Sequence, residues 1–177
     1  MKLRLRKRRR CRSSGEKIRY AEAYDKANLM WHRICDIGDE HQGTMITGSM
    51  RRCEEMIGDI DILTTNGWKK VFDYLATTGD DRYDILSAGS KRIIFKDSEG
   101  MLYNIFFTEH DSWGTAMMYT TGPQRYNIRK RYLVKRMGYK LNQYGLYNKE
   151  GEKIAGPTET GIYEALGWEW CEPEDRE

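Results

Sequence analysis

The chain has 177 residues, a net charge of +3, 32% charged and 39% hydrophobic side chains and a mean hydropathy of −0.81. That length suits one domain or two small ones sharing a core, and no apolar run approaches the roughly 18 residues that a membrane helix needs. The amino terminus, MKLRLRKRRRCR, lacks the apolar stretch of a signal peptide, so a soluble intracellular monomer is expected. Four cysteines, Cys11, Cys35, Cys53 and Cys171, form no C-x-x-C pair, which argues against zinc and against a disulfide framework.

Taken in chain order, residues 1–12 come first as a basic arm: Lys2, Arg4, Arg6, Lys7, Arg8, Arg9, Arg10 and Arg12, with no acid. The remainder of the chain is net acidic, so the arm carries most of any attraction to a polyanion. From Glu16 to about Ile37 the spacing predicts a helix, with Ile18, Ala21, Leu29, Trp31 and Ile34 facing inward. Thr44–Thr47 reads as a short buried strand and Asp59–Thr64 as a second, alternating acid and isoleucine. Trp68–Leu75 reads as a helix. Tyr83–Leu86, Arg92–Lys96 and Leu102–Thr108 read as three further strands, the last two joined by a turn at Asp97-Ser98-Glu99-Gly100. Helices are expected at Ser112–Tyr119 and at Gln124–Met137, the second ended by Gly138. A small hairpin follows around Asn142-Gln143-Tyr144-Gly145. A last helix, Thr158–Leu166, opens on half a capping box, Thr158-x-x-Gly161. One sheet of four or five strands with helices, then a mostly helical part, is an α+β pattern.

The chemistry sits in two short runs, Gly48-Ser49-Met50-Arg51-Arg52 and Gly58-Asp59-Ile60-Asp61. In a strand, residues i and i+2 point to one face, so Asp59 and Asp61 set two carboxylates side by side while Ile60 and Ile62 turn into a core. Such a pair is tolerable with a hard dication between its members, and Mg²⁺ usually takes one or two carboxylates plus substrate phosphates. The first run suits the other end of that substrate. Gly48 allows close backbone approach to a phosphate, Ser49 offers a hydroxyl and an N–H at a helix start, and Arg52 can make bidentate phosphate contacts. Together they describe a triphosphate bridged by metal to Asp-x-Asp, for in-line attack of a hydroxyl on the α-phosphate.

Beyond these runs the chain resembles a family X DNA polymerase, the group that contains DNA polymerase beta. Tyr119-Thr120-Thr121-Gly122 resembles the Tyr-Phe-Thr-Gly element between the catalytic palm and the domain that closes over the nascent base pair. Tyr126-Asn127-x-Arg129-Lys130-Arg131 is similar to the helix that follows it, and Leu141-Asn142-Gln143-Tyr144-Gly145-Leu146 to the family's hairpin. Ile162-Tyr163-Glu164-Ala165-Leu166-Gly167 and Pro173-x-x-Arg176-Glu177 resemble its C-terminal end. The likeness runs over about residues 16–177. It implies a basic arm (1–14), a nucleotidyltransferase palm with a mixed sheet and flanking helices (15–118), and a small mostly helical C-terminal domain with a hairpin (119–177).

The resemblance also implies roles. Asp59 and Asp61 hold the metals, two Mg²⁺ with Mn²⁺ as a substitute. Gly48, Ser49 and Arg52 bind the phosphates of a dNTP. Tyr119 and the backbone to Gly122 pack on its sugar, and Asn127 meets the minor-groove edge of its base. Arg131 contacts the template strand of gapped or primer-template DNA, while Arg8, Arg9 and Arg10 stand in for a missing DNA anchor. Gly122-Pro123 is expected cis. Without the resemblance, Tyr119 and Tyr126 read as helix core and Arg129 to Arg131 as a solvated basic face.

Four departures stand out. No stretch matches the family's amino-terminal lyase domain, so no deoxyribose-phosphate lyase activity is expected. Thr120 replaces an aromatic, and Cys53 a glycine. Gravest, Asn104 stands where the family carries a third catalytic Asp, and an amide has no charge and cannot act as a base. An altered, inactive polymerase, a binding protein without catalysis, or substitution by Glu109 or Asp111 would each account for it; the first is favoured, and the two acids lie beyond the expected strand end. The expected function is templated short-gap filling in DNA repair, with catalysis impaired at Asn104. The rivals are untemplated nucleotidyl transfer and a catalytically dead DNA- or nucleotide-binding module.

Overall fold

The computed structural model describes residues 16–38, 43–77 and 83–177; the basic arm with Arg8, Arg9 and Arg10 lies outside them. A five-stranded mixed sheet forms the larger part. Its strands are β2 (Thr44–Ile46), β4 (Asp59–Thr64), β5 (Tyr83–Ser87), β6 (Arg92–Asp97) and β7 (Leu102–Phe107), in the order β2-β4-β7-β6-β5. β4 and β7 run parallel, with Asp61 opposite Asn104, and the other pairs are antiparallel. The Asp97 turn is as expected: its Oδ1 accepts from the amides of Glu99 and Met101, and Gly100 supplies the positive φ.

One face of this sheet is apolar. Ile60, Ile62, Ile93, Phe95, Tyr103 and Ile105 pack beneath α1 (Tyr20–Ile37) and α3 (Trp68–Thr77). The helix α1 buries Ala23, Ala27, Met30 and Ile34, whereas Ala21 and Leu29 are exposed. The expected inward face was thus right only at Ile34 for full burial, with Ile18 and Trp31 half-buried. The first half of the contact stripe is alanine, Ala23 and Ala27, where a small side chain lets the helix backbone approach the sheet, so a reading based on large apolar residues misplaces it. Residues 18–19, expected as helix, form β1 (Ile18–Arg19), which pairs with β3 (Met56–Ile57) just ahead of β4.

The opposite face is only partly covered. Leu63 and Phe106 meet Trp113, Ala116 and Met117 of α4 (Trp113–Thr121). The same helix inserts Met118 into a second core, with Tyr126 and Val134 of α5 (Gln124–Arg136) and Ile162 and Tyr163 of α6 (Glu159–Ala165). The expected hairpin, β8 (Lys140–Asn142) and β9 (Gly145–Tyr147), is extended by β10 (Lys153–Ala155) into a three-stranded sheet. Thr158 caps α6 by accepting from the amide of Gly161 at 3.1 Å. Gly138 follows α5 with a positive φ, as a helix-ending glycine does.

The contact of α4 with α6 has no room for a side chain at Gly114. A Cβ there would sit 2.1 Å from the Thr158 carbonyl carbon and 2.4 Å from the Glu159 nitrogen. Gly114→Ala should therefore cost about 1–3 kcal/mol in urea unfolding, as overpacking does. Gly89→Ala, whose added methyl meets nothing within 4 Å, should leave the midpoint unchanged.

Candidate active site

The uncovered part of the polar sheet face forms a cleft of about 520 Å³. Asp59 and Asp61 of β4 and Arg92 of β6 rise from its floor. Gly48, Ser49 and Arg52, in and just after the short helix α2 (Gly48–Arg51), form one wall. Tyr119, Gly122, Asn127 and Arg131, from α4, its C-terminal loop and α5, form the other. Every nucleotide-binding candidate, and Arg131, thus shares one cavity with the carboxylate pair.

Local geometry explains the residue types. Thr47 ties the start of α2 to β4 through its amide on the Asp61 carbonyl at 2.8 Å. Gly48 follows with φ +63°, and a Cβ there would lie 2.2 Å from Asp61 Oδ2, so only glycine lets this backbone reach the carboxylate. Cys53 has φ +55°, a conformation that favours glycine; this is the position where the family resemblance implies one. Arg52 donates from Nη1 to the Thr121 carbonyl and from Nε to Glu54 at 3.1 Å, so its guanidinium is held across the cleft mouth. Gly122-Pro123 is cis.

Asn104, on β7 opposite Asp61, stands beside the two acids and is buried rather than lining the cleft. Its Nδ2 donates to Asp61 Oδ1 at 2.9 Å and to Asp59 Oδ2 at 3.2 Å. Burial, and for Asp61 also the charge of Asp59, holds both carboxyls above the ordinary range, and the Asn104 hydrogen bonds and Arg52 offset this only in part. Two half-buried carboxylates short of positive charge are the donor set a hard dication fits. Among the described residues no three of His, Cys, Asp and Glu converge, so Asp59 and Asp61 are the acidic pair of this cleft. Glu109 and Asp111 do not line the cleft, and Asp111 is paired with Lys153 at 3.0 Å.

The second wall combines expected and unexpected features. Asn127 Nδ2 donates to the Tyr119 carbonyl at 2.8 Å, and Arg131 Nε to the Asn127 carbonyl at 3.2 Å. Tyr119 is 42% exposed at the cleft, whereas Tyr126 is core, its hydroxyl in contact with that of Tyr163 at 2.5 Å. Lys130 is not a solvated charge: its Nζ lies 4.1 Å from the Trp168 ring centroid, and burial lowers its pKa. Arg92 was missed in the sequence. A single arginine opening a strand has no local signal; it reaches the cleft because β6 pairs it with Phe106, two residues beyond Asn104 on the same face.

A buried ion triad joins the two walls from behind. Glu159 accepts from Arg51 Nη2 at 2.8 Å and from Arg176 Nη1 at 2.7 Å, and the Arg176 side chain is fully buried. Arg51 also donates to Thr121 Oγ1 at 2.6 Å.

Comparison with known proteins gives the family of the chain. The family model for the DNA polymerase beta thumb matches residues 116–177. Repair DNA polymerase X of African swine fever virus is 30% identical over 139 residues, covering 75% of this chain and 80% of the relative. The DNA polymerase/3′-5′ exonuclease PolX of Bacillus subtilis is 27% identical over 133 residues, 73% of this chain but 23% of that protein. Among solved structures, a ternary primer-template complex of Leishmania infantum polymerase beta superposes with a TM-score of 0.79 at 19% identity, over 93% of this chain and 78% of that one. Fold and site thus define a nucleotidyltransferase of the DNA polymerase beta type. The chain belongs to the family X repair DNA polymerases, a family of DNA-directed nucleotidyltransferases. Among its described residues no helix is long and apolar enough to cross a membrane.

Removing Glu159 would leave Arg176 buried without a counter-charge. Glu159→Ala should cost about 3–5 kcal/mol in urea unfolding, with a smaller loss for Glu159→Gln, which retains an acceptor oxygen.

Proposed function

We propose that this chain binds a dNTP and Mg²⁺ at a gapped or primer-template DNA, in the manner of a short-gap-filling polymerase, with the chemical step slowed at Asn104. The observation that carries this is the convergence of Gly48, Ser49, Arg52, Asp59, Asp61, Asn127 and Arg131 on one cleft. Ser49 and Arg52 hold the β- and γ-phosphates. Tyr119 and the backbone to Gly122 pack against the sugar, and Asn127 reads the minor-groove edge of the incoming base. Arg131, beside it on α5, faces the template strand. The basic arm, with Arg8, Arg9 and Arg10, adds attraction to the phosphate backbone.

In the transfer, the primer 3′-oxygen attacks the α-phosphorus, the bond from that phosphorus to the bridging oxygen breaks, and pyrophosphate leaves. Asp59 and Asp61 would hold Mg²⁺, which would supply charge neutralisation to the phosphates. Asn104 presents an amide, which cannot accept the hydroxyl proton as a carboxylate would. Asn104 also donates N–H groups to the pair, which helps the acids pack without supplying a ligand charge. The cleft therefore favours nucleotide binding over turnover. That same contact is the observation in favour of a second reading, a DNA- and nucleotide-binding module without catalysis.

A one-nucleotide-gap extension assay with Mg²⁺ separates the readings. Asn104→Asp should extend the primer about 10²–10⁴-fold faster than the parent chain, the usual worth of a positioned base. Extension by neither protein, with Mg²⁺ or Mn²⁺, would leave only the binding module; extension that ignores the template would select untemplated transfer. Asp61→Asn should abolish Mg²⁺-dependent dNTP binding in both backgrounds, read by calorimetry. Mn²⁺ counting by electron paramagnetic resonance should find one ion per dNTP–DNA complex of the parent and two for Asn104→Asp.

A further inference from the structure

The helix α5 has a use beyond the cleft wall. Among its 13 residues, QRYNIRKRYLVKR, six are Lys or Arg and none is acidic. Tyr126, Asn127 and Val134 turn inward. On the outer side, Tyr132 is 60% exposed and Ile128 53%. One turn apart, they lie side by side on the helix surface. Isolated exposed hydrophobics are ordinary, but this pair is not isolated. In helical projection it falls between the Arg131 edge, which borders the cleft, and a line of exposed cations, Arg125, Arg129 and Arg136. None of these three makes an ion pair among the described residues, and the Arg136 guanidinium lies 6.0 Å from the Tyr132 ring centroid.

An aromatic ring and an aliphatic neighbour flanked by unpaired cations form a platform for an unpaired polynucleotide strand. Bases stack on the ring and phosphates meet the guanidiniums, with little dependence on sequence. The platform is continuous with the cleft edge where Arg131 sits, so a template strand leaving the cleft would cross it. The geometry points to Ile128 and Tyr132 as a stacking site for unpaired template nucleotides just beyond the templating base, with Arg125, Arg129 and Arg136 holding their phosphates. This rests on the DNA-directed reading above and adds a substrate preference: DNA with several unpaired template nucleotides is bound better than DNA with one.

The test is fluorescence anisotropy with the full chain and primer-template duplexes that differ only in the 5′ template overhang: one nucleotide, four nucleotides, or four with the outer three abasic. The four-nucleotide overhang should bind about tenfold tighter than the one-nucleotide overhang, in line with one stacked base. The abasic overhang should lose most of that gain, because phosphates alone do not stack. Tyr132→Ala should lose it too while binding the one-nucleotide overhang as the parent does, and Tyr132→Phe, which keeps the ring, should retain it. Tyr132 is exposed, so thermal melting of these variants should match the parent. Equal affinity for all three overhangs, or a full gain in Tyr132→Ala, overturns the inference. So does a Tyr132-dependent gain that appears only when a complementary strand pairs with the overhang, which would assign the platform to a duplex end. Failure to bind any of the duplexes would overturn the DNA-directed reading itself.

Discussion

The parallel pairing of β4 with β7 is the constraint on which the rest of the site depends. Its register sets Asp61 opposite Asn104 and Ile62 opposite Ile105, so one face of the two central strands is acidic and polar and the other is aliphatic. Because side chains alternate with a period of two, a slip by one residue would send both carboxylates into the core beneath α1 and α3. Burial of Ile60, Ile62 and Ile105 at 0% exposure is therefore also what aims Asp59 and Asp61 at the cleft. The hydrophobic contribution and the chemical geometry are two consequences of one register.

The cleft needs a second wall, and α4 supplies the connection. It gives Ala116 and Met117 to the contact with the large sheet and Met118 to the C-terminal core, so one helix joins the sheet to that core. Behind the cleft, Arg51 beside the glycine-serine run meets Glu159 at the start of α6. An isolated carboxylate there would be costly to bury; flanked by Arg51 and Arg176 it has two charge-assisted partners. The element that carries Ser49 and Arg52 is thus fixed to α6 by an ion pair and to α4, in the opposite wall, by the Arg51–Thr121 hydrogen bond.

Asn104 changes the electrostatics of the floor more than its shape. A third carboxylate beside Asp59 and Asp61 would add repulsion that only further cations could offset. An amide donating to both acids relieves the pair instead.

Much of this was legible in the sequence because it is local. The alternation Asp-Ile-Asp-Ile declares both the strand and the faces it separates, Gly48 and Ser49 mark a turn into a helix start, and Gly100 and Gly138 mark a hairpin and a helix end. That Gly48, Ser49 and Arg52 would share a cleft with the paired carboxylates could be read from spacing and family resemblance. The inward face of α1 could not, because alanines rather than the larger Leu29 make the contact, and close approach is a property of the sheet beneath it. Arg92 and the platform at Tyr132 were equally invisible. A lone arginine on a strand and a tyrosine on a basic helix acquire meaning only from what lies beside them, Phe106 across a strand pair and the cleft edge across a helix face. Sequence by itself determined which groups this protein has for its chemistry, since those groups recur at short, regular intervals. Which of its many cations and rings surround that chemistry was decided by tertiary structure alone, because their proximity is set by strand register and helix packing between residues far apart in the chain.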